Sequence, residues 1–290
     1  MLYSEGFMQG VKNMLLRVGC FGLLNLLIFA GPSCGLAAGD VVIRINGSGN
    51  GLDMIKPLVE AYAKEVRGVQ FKMEKPLGSS GAIKALLAGA IDIALTSKSM
   101  TPEQTALGAR PRHFGKTPLA IVTEKRVPLK DISTKELEDI YFGRTKKWPN
   151  GEMVRIVLRQ NEDIDTQMLK ELSAGMADAV ADAHGRRGMA IAVTDPESLD
   201  AVSKTPGGIG AAGLVGVIVS KLPLNILALN GVAPGRKTLA DGTYPLAKGI
   251  DFVTAGKLSR EAEKFLDFVY SNKGRSIAEG SGVLVMTGGK

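Results

Sequence analysis

Between residues 40 and 95 the chain twice repeats one order: a short apolar strand, a Gly-Ser loop, then a helix. Asp40 to Asn46 alternates, with Val41, Ile43 and Ile45 on one face, which predicts a first strand. Gly47-Ser48-Gly49-Asn50-Gly51 follows. Ile55, Leu58, Tyr62 and Val66 then mark one side of a helix, with Pro57 read as lying in its first turn. Val69, Phe71 and Met73 predict a second strand. Pro76-Leu77-Gly78-Ser79-Ser80-Gly81 leads into a second helix, whose apolar face is Ile83, Leu86, Leu87 and Ala90, and Ile91 to Leu95 is a third strand. Strands joined by helical crossovers pair in parallel, so this series predicts an α/β domain with a largely parallel sheet. Both loops fall at strand-to-helix turns, the edge where open α/β sheets bind ligands. A helix start offers free N–H groups and partial positive charge. Each loop therefore reads either as an anion cradle or as an ordinary serine N-cap. The first loop is not a dinucleotide fingerprint, because Leu52 stands where its third glycine would be.

The same alternation continues. Thr117–Thr123 and Met153–Arg159 read as strands, with the capping box Ser133-Thr134-Lys135-Glu136 opening a helix between them. Asn161 to Asp165 is acidic and precedes a helical region through His184. Met189–Val193 is a strand, and Thr194-Asp195-Pro196-Glu197 opens a helix with proline just inside the cap. Leu224–Leu229 and Tyr244–Thr254 are strands. Ser259 caps a last helix with Ala262, Phe265, Leu266 and Val269 on one face. There is no internal repeat, low-complexity tract or long linker.

Composition narrows the function. The chain has 290 residues, is 45% hydrophobic and 22% charged, and so has ample core for one or two domains. Its +7 charge is spread along the chain, aromatics are 5%, and no basic stripe forms, which argues against a nucleic-acid partner and fits an anionic ligand weakly. Lys12, Arg17, the apolar run Val18–Ala30 and the break at Gly31-Pro32 read as an export signal, with cleavage after Ala37; Met14 is an alternative start, and an uncleaved anchor is the alternative reading. Both cysteines, Cys20 and Cys34, lie in residues 1–37, so the mature chain has no thiol chemistry, and Gly31-Pro32-Ser33 is a poor lipobox for anchoring Cys34. The two histidines, His113 and His184, sit in no metal-spaced cluster, and no Gly-x-Ser-x-Gly elbow or acid–base pair appears. His184, beside Gly185-Arg186-Arg187, reads as a cation at a helix end. Neither an enzyme, a cofactor nor a metal is expected.

Five segments, in order, resemble the phosphate-binding-protein family of periplasmic solute receptors, which feed ABC importers. They are Ile45-Asn46-Gly47-Ser48-Gly49; Gly78-Ser79-Ser80-Gly81 with Ala90-Ile91-Asp92-Ile93-Ala94; Leu137 through Ile140-Tyr141-Phe142-Gly143 to Lys147-Trp148; Pro206-Gly207-Gly208-Ile209-Gly210; and Tyr244-Pro245-Leu246 through Phe265-Leu266 and Phe268-Val269 to Ser271 and Gly274. The resemblance implies a type II periplasmic-binding-protein fold: two α/β lobes, each a mixed sheet flanked by helices, crossed twice by the chain and closing on a ligand by a hinge. It places a signal peptide at 1–37, lobe one at 38–122 plus 230–290, and lobe two at 123–229. It implies a monomer that captures phosphate or a related oxyanion in the interlobe cleft, with an ABC permease as partner. The ligand groups carried over are Ser48, Gly49 and Asn50, then Ser79, Ser80 and Gly81, then Arg159.

Lobe two departs from the family pattern. The neutral donors expected after the arginine fall on Asp163, Ile164 and Asp165, and Ser97, followed by Lys98, stands where an aspartate is expected. Carboxylates accept hydrogen bonds and repel anions. Asp163 and Asp165 therefore either face the cleft and decide what it accepts, or pair with Arg159 and cap the next helix. The rival to an oxyanion receptor is an exported sensing or interaction protein that keeps the fold without the ligand. The leader reading has a direct check: mass spectrometry of secreted protein should find the N-terminus near Ala38, and an intact start at Met1 or Met14 would contradict it.

Overall fold

The computed structural model describes residues 41–286. The export signal, Cys20, Cys34 and the cleavage site after Ala37 lie outside the described residues. The first half begins with β1 (Val41–Gly47), α1 (Gly49–Glu65), β2 (Val69–Met73), α2 (Gly78–Leu87), β3 (Ile93–Thr96) and α3 (Pro102–Ala106). The long strand β4 (Arg110–Glu124) follows, then β5 (Asp131–Ile132), α4 (Thr134–Tyr141), β6 (Arg155–Arg159), α5 (Ile164–Lys170) and α6 (Ala174–Gly185). Next come β7 (Ala190–Ala192), α7 (Asp195–Lys204), β8 (Gly208–Gly213), α8 (Leu214–Ser220) and β9 (Leu224–Leu229). The chain closes with α9 (Arg236–Ala240), β10 (Ala247–Thr254), α10 (Arg260–Tyr270), α11 (Asn272–Gly280) and β11 (Leu284–Val285).

β1 pairs in parallel with β2 and β3, as the crossover pattern requires. β10 then joins β3 to β4, antiparallel to both, so the sheet is mixed. β4 is the shared strand. Its first half carries β10 and β11, and its second half carries β8 and β9, with β6 and β7 continuing beyond β8. One strand thus runs from one sheet into the other. Each sheet buries its own core. Ile43, Ile45, Leu58, Phe252 and Phe265 belong to the first, where Tyr62 lies with its ring centroid 5.2 Å from Phe265 and 6.0 Å from Phe71. Leu137, Tyr141, Trp148, Leu158 and Met176 belong to the second. Tyr244 and Leu246 pack in the second core, and the Tyr244 hydroxyl donates to the Leu119 carbonyl at 2.9 Å.

Three local expectations are corrected. α1 begins at Gly49, because the glycines read as loop form its first turn under the Ser48 cap. Pro57 therefore lies in the helix interior. Ala90 falls beyond α2, which ends at Leu87 before Gly89 at φ +70°, and Ala82 takes its place on the buried face beside Ile83 and Leu86. His184 stands in the last turn of α6, but burial and nearby Lys170 lower its pKa, which disfavours the cation.

An interior proline removes one i→i−4 hydrogen bond and crowds the carbonyl before it. Pro57→Ala should therefore stabilise the protein, by up to about 3 kcal/mol. Urea unfolding of the two proteins measures this, and a lower midpoint in the variant would show that α1 has adapted to the ring.

Candidate functional site

A cavity of about 230 Å³ is lined by Ser48, Gly49, Ser79, Ser80, Arg159 and Asp163 among the residues expected from the sequence. It is also lined by Lys98, Glu162, Asp195 and Lys248, and on its apolar side by Pro76, Leu77, Ile164 and Val193. The starts of α1, α2, α5 and α7 all contribute to it.

These helix starts differ in how their N–H groups are satisfied. α1 is capped by Ser48, whose Oγ accepts from the Gly51 N–H at 3.1 Å. The Asp195 carboxylate lies against this helix start, where the nearby Asn50 N–H helps to lower its pKa. Gly49 permits that approach, since a Cβ there would stand 2.8 Å from Asp195 Oδ2 and 2.7 Å from Pro196 Cδ. α5 is capped by Asp163, whose Oδ1 accepts from the Asp165 N–H at 2.9 Å, and α7 by Thr194 in a full capping box. α2 has no side-chain cap: Gly78, at φ +71°, turns the chain from Leu77 into the helix, and Ser79 and Ser80 lie inside the first turn. The serine N-cap reading thus describes the first loop and not the second.

Behind the cavity lies an ionic cluster. Lys248 is 1% exposed, and its Nζ lies 2.6 Å from Asp165 Oδ1 and 2.7 Å from Asp195 Oδ1. Arg159, 5% exposed, donates from Nη2 to Asp163 Oδ2 at 2.6 Å and lies 3.7 Å from Asp195 Oδ2. Its Nε and Nη1 are buried and without a hydrogen-bond partner. Burial opposes the charge on Lys248, but Asp165 and Asp195 outweigh it and hold its pKa above the usual lysine value. Burial likewise works to raise the Asp195 carboxyl, but Lys248, Arg159 and the Asn50 N–H hold it below its ordinary value. At Asp165 burial prevails over Lys248, aided by Asp195 and Asp163, and the carboxyl is pushed up to about 6.

The remaining expected residues sit beside the cavity. Asp165 does not line it: the residue is fully buried against Lys248. Asp163 both caps α5 and pairs with Arg159, so the capping and pairing alternatives are met together, and it still lines the cavity. Asn50 has its side chain buried near Gly213. Gly81 lies one turn into α2 and does not line the cavity. Ser97 donates its N–H to Ser79 Oγ at 3.2 Å and holds its hydroxyl 3.5 Å from that of Ser48. Lys98 Nζ reaches across to the Glu162 carbonyl at 2.8 Å, joining the end of β3 to the approach to α5.

Sequence reasoning missed Asp195 and Lys248. Asp195 looks like an acid placed for its own helix dipole. Lys248 carried a signal: Lys248, Ile250 and Phe252 alternate inward along β10, so a lysine stands in a core-facing slot.

The sequence profile of a family described as a PBP superfamily domain matches residues 35–273. The phosphate-binding protein PstS of Borreliella burgdorferi is 24% identical over 252 residues, which span 84% of this chain and 89% of that protein. Among solved structures, a Clostridium perfringens ABC transporter substrate-binding protein with bound phosphate superposes with a TM-score of 0.70 at 19% identity, covering 85% of this chain and 100% of that one. A Vibrio cholerae ABC-type phosphate transport receptor gives a TM-score of 0.58 at 18% identity, covering 84% of this chain and 100% of that one. The architecture is therefore the two-lobed α/β fold of those receptors.

The raised Asp165 carboxyl gives a signed pH dependence. The folded chain keeps this proton where the unfolded chain has already lost it. Its contribution to stability is complete below about pH 4 and is lost as pH rises through about 6. The melting-temperature difference between Asp165→Asn and wild type should therefore move in the variant's favour from about pH 4 to about pH 7. A difference that stays constant across that window would show that Asp165 ionises normally.

Proposed function

The chain belongs to the PBP superfamily, and we propose that it is an exported receptor that captures a phosphate-like oxyanion in the interlobe cleft for an ABC importer. The observation that carries this reading is the pairing of two free donor sets on one cavity. The first turn of α2, with Ser79 and Ser80, has no side-chain cap, and Arg159 is buried with Nε and Nη1 unpartnered. A tetrahedral oxyanion offers acceptors to both at once, with Lys98 supplying further charge at the rim.

The lobes we assign are 38–122 plus 230–290 and 123–229, with residues 1–37 removed on export and the mature protein working as a monomer beside its permease. The PstS likeness runs over most of the chain, which favours a receptor over a sensing protein without a ligand. Asp163 and Asp195 weaken the attraction for anions. Arg159 and Lys248 offset them, so the cavity is close to balanced in charge.

Phosphate should raise the melting temperature above that in sodium chloride of equal ionic strength. Ligand at a hundredfold its Kd stabilises a folded protein by about 2.7 kcal/mol. Arg159→Lys keeps the charge opposite Asp163 and removes the guanidinium fork, and should weaken phosphate at least tenfold. Failure of phosphate to shift the wild-type melt would sink the receptor reading in favour of the scaffold without a ligand.

A further inference from the structure

Of the helices that start at this cavity, α1 and α2 use their positive ends differently. At α2 no side chain caps the first turn, and Arg159, which lines the same cavity, has buried Nε and Nη1 without a hydrogen-bond partner. At α1 the place of an anion is already taken by the protein. Asp195 Oδ2 packs against Gly49, where a Cβ would stand 2.8 Å from it, and Lys248 Nζ holds Oδ1 at 2.7 Å. Asp195 is 3% exposed and reaches this point from the first turn of α7, in the segment that opposes α1. It therefore does two things to any ligand in the cavity. It sets a carboxylate against Gly49 at the α1 N-terminus, and with Asp163 it sets fixed negative charge on the cavity wall.

Resting on the oxyanion-receptor reading, we propose that Asp195 is a specificity-determining residue: it occupies the α1 anion position as an intrinsic carboxylate and restricts the cavity to singly charged oxyanions held by α2 and Arg159. The electrostatic reason is direct. Repulsion from a fixed carboxylate scales with the ligand's charge, so a dianion feels twice what a monoanion of the same shape feels. The buried cations do not reverse this, because Arg159 and Lys248 face three carboxylates, Asp163, Asp165 and Asp195.

The test uses tetrahedral probes whose charge does not change with pH, namely sulfate as the dianion and methyl sulfate as the monoanion, with phosphate as reference, all by calorimetry at neutral pH. Wild type should bind methyl sulfate more tightly than sulfate. Asp195→Asn keeps the shape and one oxygen for Lys248, removes the negative charge, and leaves Lys248 paired with Asp165. It should raise the ratio of sulfate to methyl sulfate affinity at least tenfold, and Asp195→Ser, which clears the group altogether, should do the same if the asparagine variant does not fold. An unchanged ratio in a folded variant, or a wild-type preference for sulfate, overturns the role of Asp195 while phosphate binding leaves the receptor reading intact. Absence of binding by all three anions to wild type overturns both.

Discussion

A lysine ammonium cannot be left in a protein interior without counter-charge, and Lys248 is wholly interior. Its counter-charges are Asp165, in the first turn of α5, and Asp195, the first residue of α7. Lys248 itself lies on β10, in the sheet built around β1 and β3. The bridge therefore ties helix starts beside the second sheet to a strand of the first. Removing any one member would strand a buried charge, so the three groups specify one another's positions more than they add net stability. Arg159 is held by the same arrangement, with Asp163 on one side and Asp195 close by on another, and two of its donors are thereby left facing no protein acceptor.

The site is best understood as a meeting of helix N-termini. Each brings unsatisfied N–H groups and partial positive charge to the same point. Hydroxyl and carboxylate caps neutralise α1, α5 and α7 from within the chain, through Ser48 and Asp195, Asp163, and Thr194. The acids that break the family pattern in lobe two are thus absorbed into capping and pairing. They shape the field of the cleft more than they fill it. The link from Lys98 to the Glu162 carbonyl adds a single exposed hydrogen bond at the rim of the same cavity.

Long-range architecture follows from β4. Because its two halves pair with different neighbours, the sheets are continuous in backbone hydrogen bonding yet enclose separate cores.

The sequence by itself determined the class of fold, because period and loop chemistry are local properties. The strands β1, β2 and β3, the capping boxes of α4 and α7, and the two Gly-Ser turns at the carboxyl edge all follow from residues within a few positions of one another. The resemblance to the receptor family also grouped Ser48, Ser79, Ser80, Arg159 and Asp163, and these residues line one cavity. Only the tertiary structure decided how each is used. The serine of the first loop caps a helix while those of the second do not, since that turns on where Gly78 lets the chain enter α2. Asp165 went to Lys248 instead of the cleft, and Asp195 came to the end of α1, because charges buried on different segments must find each other across the fold. Such pairings depend on distance in space, which no local pattern of residues encodes.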